Sequence, residues 1–166
     1  MPNKKILVTP TAHLILALGK RGFMTNTNYE LFNEIAGEVL VHLLSCFPMS
    51  SKEPVGKITK YRKKGDDIPH EWEVFYQTIS WLETEGFIRS KSNNQRTGKY
   101  MLPDCVLTLK GLEALKSVPD PINPDSGNTL ADSMVQAVEE EAKDKLKVLT
   151  KKGISSLYAI IQDSIV

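Results

Sequence analysis

Apolar residues recur at spacings of three and four in two parts of the chain, and this periodicity predicts two amphipathic helices. The first spans about 28 to 46, with Thr27 or Asn28 as its N-cap and Pro48 just beyond its end. The second spans about 69 to 85 and is the most regular helical pattern in the sequence. Their main apolar positions are Leu31, Phe32, Ile35, Val39, Leu40, Leu43 and Leu44 in the first helix, and Trp72, Phe75, Ile79 and Leu82 in the second.

After the second helix, turn signals alternate with short apolar runs. Gly86 predicts the C-cap of that helix, and residues 87–90 predict a strand. Polar turn residues follow, and residues 99–102 predict a returning strand that 106–107 can extend. Thr108 is then placed to cap a further helix.

Three other segments have weaker or different patterns. Residues 10–20 predict a short buried helix, with a glycine at its end. Residues 55–62 fit either a short helix or a strand. Residues 118–128 contain three prolines, which exclude a helix or a central strand and predict a semi-extended linker.

The tail after residue 128 predicts helical structure whose apolar stripe Gly153 interrupts. The stripe positions are Leu130, Met134, Val138, Ala142, Leu146 and Leu149 before the glycine, and Ile154, Leu157, Ile161 and Ile165 after it. Isolated helices are only marginally stable in water, so these stripes need a partner surface. Either the tail packs back onto the helices of 10–46, or it pairs with a second copy of the chain.

Two short motifs give this order of elements a family resemblance. The first is Trp81-Leu-Glu-Thr-Glu-Gly-Phe-Ile-Arg89, and after a polar turn the second is Leu107-Thr-Leu-Lys-Gly-Leu112. The chain here resembles the winged-helix family, in the layout of MarR-type and PadR-type regulators. The resemblance implies a mainly α fold with a small β-wing, a winged helix-turn-helix domain with flanking N- and C-terminal helices. The implied organisation is an N-terminal helical extension at 1–27, the winged-helix domain at 28–117, a Pro-rich linker at 118–128, and a C-terminal helical segment at 129–166 that mediates homodimerisation.

The same resemblance implies a DNA-binding transcriptional regulator. The helix 69–85 occupies the recognition position, which lies in the major groove, and the turn 89–99 is the wing. The residues expected to contact bases are His70, Gln77, Thr78 and Ser80. Backbone contacts are expected from the wing residues Arg89, Lys91, Arg96 and Lys99, and from a second basic cluster formed by Lys60, Arg62, Lys63 and Lys64.

Charge restricts this interpretation and leaves an alternative open. The formal net charge is +1, which excludes a protein that binds nucleic acid by bulk charge alone. Residues 51–117 contain 12 basic and 9 acidic residues, a net of +3, whereas 118–166 contain 5 and 8, a net of −3. The helix 69–85 contains four glutamates and no lysine or arginine. The alternative function is therefore a winged-helix protein–protein interaction module, an adaptor that binds no nucleic acid.

Little in the sequence indicates catalysis, metal or cofactor. His42 and Cys46 have the spacing of half a zinc site, but no second pair accompanies them, so a buried histidine and cysteine are expected instead. We expect no enzyme, no metal and no cofactor, because phosphate-loop and nucleophile motifs are absent. The sequence has no apolar stretch of the ~18–20 residues that a membrane span requires and no leader pattern, so no membrane contact and a cytoplasmic location are expected.

Overall fold

Helices dominate the computed structural model, which describes residues 27–61, 69–90, 102 and 104–163, with side chains described up to 156. In chain order the elements are α1 (Asn28–Cys46), α2 (Val55–Ile58), α3 (His70–Thr84), β1 (Ile88–Ser90), β2 (Cys105–Leu107), α4 (Leu109–Ser117), a 3₁₀ turn (Pro124–Ser126), α5 (Leu130–Glu139) and α6 (Lys143–Asp163). This part of the chain is mainly α with one small antiparallel sheet, which confirms the coarse class predicted from the sequence. The helix predicted over 10–20 lies outside the described residues.

The helix α1 lies at the centre of the fold. It begins with the predicted cap: the Thr27 hydroxyl accepts from the Glu30 N–H at 3.3 Å, and the Glu30 carboxylate accepts from the Thr27 N–H at 3.0 Å. Every residue from Asn33 to Val41 is buried, because α3, α5 and α6 all pack against this helix. Gly37 allows α6 to come close, since a Cβ there would lie 2.5 Å from Thr150 Oγ1. The tail therefore packs back onto the helix at 28–46, the first of the two alternatives above.

The break in the C-terminal segment differs from the prediction. The chain leaves helical geometry at Glu140–Ala142, where Glu141 has a φ of 56°, and α6 then runs without interruption through Gly153. Gly153 is buried, and a Cβ at this position would overlap Leu130 Cδ2 and lie 3.2 Å from Leu130 Cδ1. This glycine is therefore a point of close approach between α5 and α6, and the predicted interruption was wrong.

Replacing Gly153 with alanine tests this contact. Alanine favours a helix over glycine by up to about 1 kcal/mol, but overpacking a tight contact costs about 1–3 kcal/mol. Because the obstacle is the end of a flexible leucine side chain, we expect a net destabilisation of about 1 kcal/mol in urea unfolding. Ser155→Ala, at an exposed position of the same helix, is the matched control and should stay within about 0.5 kcal/mol of the parent. A more stable Gly153→Ala variant would contradict the close approach.

The proline-rich segment 118–128 is a closed loop and not the semi-extended linker that its composition predicts. Pro119 bridges Thr129, and the N–H of Asp120 donates to the carbonyl of Asn128 at 2.9 Å. The buried Asp120 carboxylate accepts from Ser133 Oγ at 2.6 Å and from two backbone N–H groups of the loop. Burial alone would raise the pKa of this carboxyl, but the hydrogen bonds together lower it by more than burial raises it. The net pKa is therefore below its usual value. The loop thus holds the end of α4 against the start of α5.

Three separate parts of the chain pair side by side in the small sheet. The strand β1 pairs antiparallel with β2, with Arg89 opposite Val106 and Ser90 opposite Cys105. On the other side of β2, Ser51 forms an antiparallel bridge with Cys105, with N···O distances of 2.8 and 3.1 Å. The returning strand is thus Cys105–Leu107, and residues 99–101 of the predicted strand lie outside the described residues. Of the two alternatives for 55–62, a short helix forms.

The two sequence motifs are joined by hydrogen bonds. Gly86 has a φ of 76°, which ends α3 in the left-handed region as predicted. The Thr108 hydroxyl donates to the Gly86 carbonyl at 2.6 Å and accepts from the Gly111 N–H at 3.1 Å, so it caps α4 and fixes it to the end of α3. Lys110 Nζ adds a hydrogen bond to the Glu85 carbonyl at 2.5 Å. The start of α4 is therefore anchored at the turn that begins β1.

Candidate nucleic-acid interface

The helix α3 separates an apolar face from a polar one. Its buried residues are Trp72, Val74, Phe75, Thr78, Ile79 and Leu82. Its exposed residues are all polar: His70, Glu73, Gln77, Ser80, Glu83 and Thr84. Tyr76 and Trp81 are half-buried at the boundary. The exposed face thus offers hydrogen-bonding groups and two carboxylates.

Three of the four predicted base-contacting residues lie on this face, and the fourth does not. His70, Gln77 and Ser80 are exposed, whereas Thr78 is 1% exposed and its hydroxyl donates to the Val74 carbonyl at 2.7 Å. Thr78 follows Val74 by one turn, so it faces the core, and its assignment as a base contact was wrong. Thr84, which the prediction did not include, is also exposed on this face; it lies one turn from Ser80, and its hydroxyl donates to the Ser80 carbonyl at 2.8 Å.

Local hydrogen bonds fix two of these side chains. His70 Nε2 lies 2.7 Å from Asn28 Oδ1, which joins the start of α3 to the start of α1. The Gln77 amide donates to Glu73 Oε1 at 3.2 Å, one turn away on the same helix. The polar face is therefore partly preorganised by one contact within α3 and one contact to α1.

The described basic residues are distributed unevenly around this face. Arg89 is exposed at the centre of β1, directly after α3 in the chain. Lys60 is also exposed, but its ammonium lies 2.5 Å from Glu141 Oε2, and this contact lowers the pKa of that carboxyl. In this structure Lys60 therefore pairs with the turn between α5 and α6, and because both side chains are exposed its predicted phosphate contact stays a prediction. The other predicted backbone contacts, Arg62, Lys63, Lys64, Lys91, Arg96 and Lys99, lie outside the described residues.

A groove runs between α3 and the first turns of α1. Its volume is about 510 Å³, and its walls include Asn28, Phe32, His70, Gln77 and Trp81. A second hollow of about 320 Å³ shares Phe32 and Trp81 and extends towards α6. The two shared rings meet edge to face at 5.0 Å between centroids. Among the aromatic residues of α3, the predicted core positions Trp72 and Phe75 are buried, Tyr76 is half-buried, and Trp81 forms part of a surface groove.

Two buried carboxylates on α1 were not predicted. Glu34 is fully buried, and the ammonium groups of Lys143 and Lys147 on α6 pair with it, Lys147 at 3.7 Å. Burial and, to a smaller extent, the charge of Glu34 together raise the pKa of the neighbouring Glu38 to about 7, against the opposing effects of Lys143 and Lys60. Burial also raises the pKa of Tyr61, with an additional hydrogen bond to Glu34. This cluster therefore connects α1 with α6 and with Tyr61, which lies between Lys60 and Arg62 of the second basic cluster.

His42 and Cys46, the pair considered for metal binding, are both half-buried and not fully buried as expected. His42 Nε2 lies 2.7 Å from Ser51 Oγ, and burial lowers the pKa of the ring. Cys105 is buried, and burial raises the pKa of its thiol to about 12, which keeps the sulfur protonated. Within the described ranges, no group of three or more His, Cys, Asp or Glu side chains is arranged to hold a metal ion. His42 and Ser51 instead fasten α1 to the strand segment beside β2.

Comparisons with protein-family models, with curated proteins and with solved structures found no match for this chain. Among the helices of the described part, none is both long and apolar enough to cross a bilayer. The chemistry of α3 and of its neighbours is therefore the basis for inferring what this protein binds.

Proposed function

We propose that this protein binds double-stranded DNA through a winged-helix domain and acts as a transcriptional regulator. The observation that supports this most directly is the wholly polar exposed face of α3, which ends at Thr84, shortly before Arg89 on β1. The element order α1, α3, Gly86, β1, β2 and α4 agrees with the layout on which the resemblance to the winged-helix family rests, and this agreement supports the proposal. In that arrangement α3 is the helix that enters the major groove.

The proposed mechanism combines contacts to base edges with contacts to phosphates. The amide of Gln77 can pair with adenine through two hydrogen bonds, and the hydroxyls of Ser80 and Thr84 can bond to any base edge. Arg89 and the wing residues Lys91, Arg96 and Lys99 would hold the backbone. Glu73 is compatible with this position only where it avoids phosphates or accepts from a cytosine amino group.

A homodimer is part of this proposal. The first half of α6 is used within the chain, since Leu146 and Leu149 are buried against α1 and α5. The second apolar stripe, which begins at Ile154, is then the segment proposed to pair with a second copy. Dimeric helix-turn-helix proteins contact two half-sites about one helical turn apart, so the preferred site would be a palindrome.

A protein-interaction module is the second candidate, and one observation favours it. The groove on α3 has aromatic walls from Phe32 and Trp81 beside the exposed carboxylate of Glu73. Aromatic walls with a nearby charge suit an apolar peptide segment more than a sugar–phosphate backbone. Under this alternative the protein is an adaptor, and no nucleic acid is bound.

A titration of mixed-sequence duplex DNA across a salt series tests the two candidates. We expect binding at low salt that weakens between about 50 and 200 mM salt, with a log–log slope set by the number of phosphates contacted. Arg89→Ala should reduce that slope by about one and weaken binding uniformly across sequences. Lys116→Ala, at the exposed end of α4, is the control and should leave both quantities unchanged.

Two results would contradict the DNA-binding proposal. One is the absence of measurable affinity at low salt, and the other is an affinity that does not depend on salt. Either result, with the protein folded by circular dichroism, would favour the adaptor candidate.

A further inference from the structure

The groove between α1 and α3 is an apolar surface on an otherwise polar helix face. Phe32 and Trp81 form its walls, and Tyr29, which is 55% exposed, borders the adjoining hollow. Large rings that are left partly exposed on a small protein indicate a site of interaction. The groove begins at Asn28, one residue after the described chain starts at Thr27. The preceding segment of the chain therefore enters the structure at the edge of this groove.

That preceding segment contains an apolar run of matching character. Residues 12–18 comprise alanine, histidine, leucine, isoleucine, leucine, alanine and leucine, so six of the seven are apolar. Burying each leucine or isoleucine is worth about 1.5–3 kcal/mol relative to leaving it in water. The run thus has a strong tendency to find an apolar partner surface.

The length of the connecting segment and the charges beside the run both favour docking of the run in the groove of the same chain. Residues 19–26 connect the run to Thr27, and eight residues can span up to about 27 Å. Lys20 and Arg21 follow the run after Gly19, and the exposed Glu73 carboxylate borders the groove. A segment that is already tethered binds at a high effective concentration, which favours it over a segment from another molecule.

We propose that residues 12–18 of this chain dock in the groove formed by Phe32, Trp81 and their neighbours on α1 and α3. The docked segment covers the indole of Trp81 and lies over part of the polar face of α3. A segment from a second copy, or an unrelated partner, is the competing occupant that the experiment must distinguish.

The two tryptophans of the chain make this docking measurable in the full-length protein. Trp72→Phe leaves Trp81 as the only indole, so its fluorescence reports on the groove. In that background, Leu14→Asp with Leu18→Asp should raise the acrylamide quenching constant of Trp81 at least about twofold and shift its emission to longer wavelength, because the indole loses its apolar cover. The matched control, Thr9→Asp with Thr11→Asp, adds the same charges beside the run and should change neither quantity.

Further arms of the experiment verify the fold and identify the occupant. In the Trp81→Phe background, Trp72 is 7% exposed, and its quenching should be the same with and without the aspartates if the core is intact. The Trp81 signal should not change over an about hundredfold dilution, because intramolecular docking is independent of concentration. The proposal is overturned if Leu14→Asp with Leu18→Asp leaves Trp81 unchanged. It is also overturned if dilution alone exposes Trp81, since the occupant is then a second copy.

Docking also has a consequence that rests on the proposed function. Gln77 and Ser80 line the same groove, so the docked segment and a DNA duplex would compete for α3. The Leu14→Asp, Leu18→Asp variant should then bind duplex DNA several-fold more tightly than the Thr9→Asp, Thr11→Asp control. Equal DNA affinities would contradict the competition. If neither variant binds DNA, the proposed function fails, while the quenching of Trp81 still decides the docking.

Discussion

Replacing Glu38 with glutamine is expected to stabilise the protein at about pH 8 by about 3 kcal/mol and to leave its stability at about pH 4 almost unchanged. Glu38 is 8% exposed on α1, and the pKa of its carboxyl is raised from an ordinary value of 4.5 to about 7 in the folded state. Burial is the main cause, and the adjacent charge of Glu34 adds to it. Glutamine has nearly the same shape but no charge, so it removes the cost of ionising a buried carboxyl.

The direction of the pH effect follows from proton uptake. Between the unfolded and folded pKa values of Glu38, the folded state binds more protons than the unfolded state, so stability falls as pH rises. The penalty is absent below about pH 4.5 and complete above about pH 7. Its size is about 1.4 kcal/mol for every tenfold difference between the two acid dissociation constants. The groups that face Glu38 are Glu34 on the same helix, Lys143 on α6, and Lys60, whose ammonium also contacts Glu141.

Urea unfolding followed by circular dichroism at a series of pH values measures this effect. The stability of the parent should decline from about pH 5 to 7 relative to that of Glu38→Gln, and the two curves should then run parallel. Glu113→Gln is the control, because Glu113 is exposed on α4 and its replacement should leave the decline in place. Parallel curves for the parent and Glu38→Gln across the whole range would show that Glu38 ionises at an ordinary pH.

The elements that sequence patterns predicted well are those decided by local chemistry. Thr27 and Thr108 cap helices through hydrogen bonds to residues three positions away, so the capping signal and its partner lie in one short window. Gly86 adopts a positive φ at the end of α3 for an equally local reason. Thr78 is the local error: its residue type suggested a polar face, although its spacing from Val74 places it in the core.

The features that sequence patterns missed depend on contacts between distant residues. The burial of Glu34 makes sense only with Lys143, which lies 109 positions away in the chain. Gly153 resembles a helix stop until Leu130 is known to pack over it. The same limit applies to the candidate site, because no local sequence pattern pairs Lys60 with Glu141. Only the folded structure shows this ion pair. The polar face of α3 was thus largely predictable, whereas the pairing of the charges around it was not.

Replacing Gly111 with alanine is expected to destabilise the protein by about 3 kcal/mol, because overpacking and the loss of a helix cap both contribute. A Cβ on Gly111 would overlap the carbonyl oxygen of Phe87 and lie 3.1 Å from its carbonyl carbon. These are backbone atoms at the start of the strand segment, so they cannot turn aside as the Leu130 side chain can beside Gly153. The first turn of α4 would have to move away from β1, which would strain the bond from the Thr108 hydroxyl to the Gly86 carbonyl.

Thermal unfolding measures the expected destabilisation of Gly111→Ala as a fall in Tm. For a chain of this size, about 3 kcal/mol corresponds to a fall in Tm of about 6–12 °C. Glu113→Ala, at an exposed position on the same helix, should change Tm by no more than a degree or two. The Tm of Gly153→Ala should fall between the two, because its obstacle is a movable side chain.

If Gly111→Ala unfolds at the temperature of the control, the start of α4 does not press against the Phe87 carbonyl, and the glycine of the second motif has no packing role. If the ranking holds, the requirement for glycine in that motif is steric, since only a residue without a Cβ lets α4 lie against the turn that positions the proposed wing.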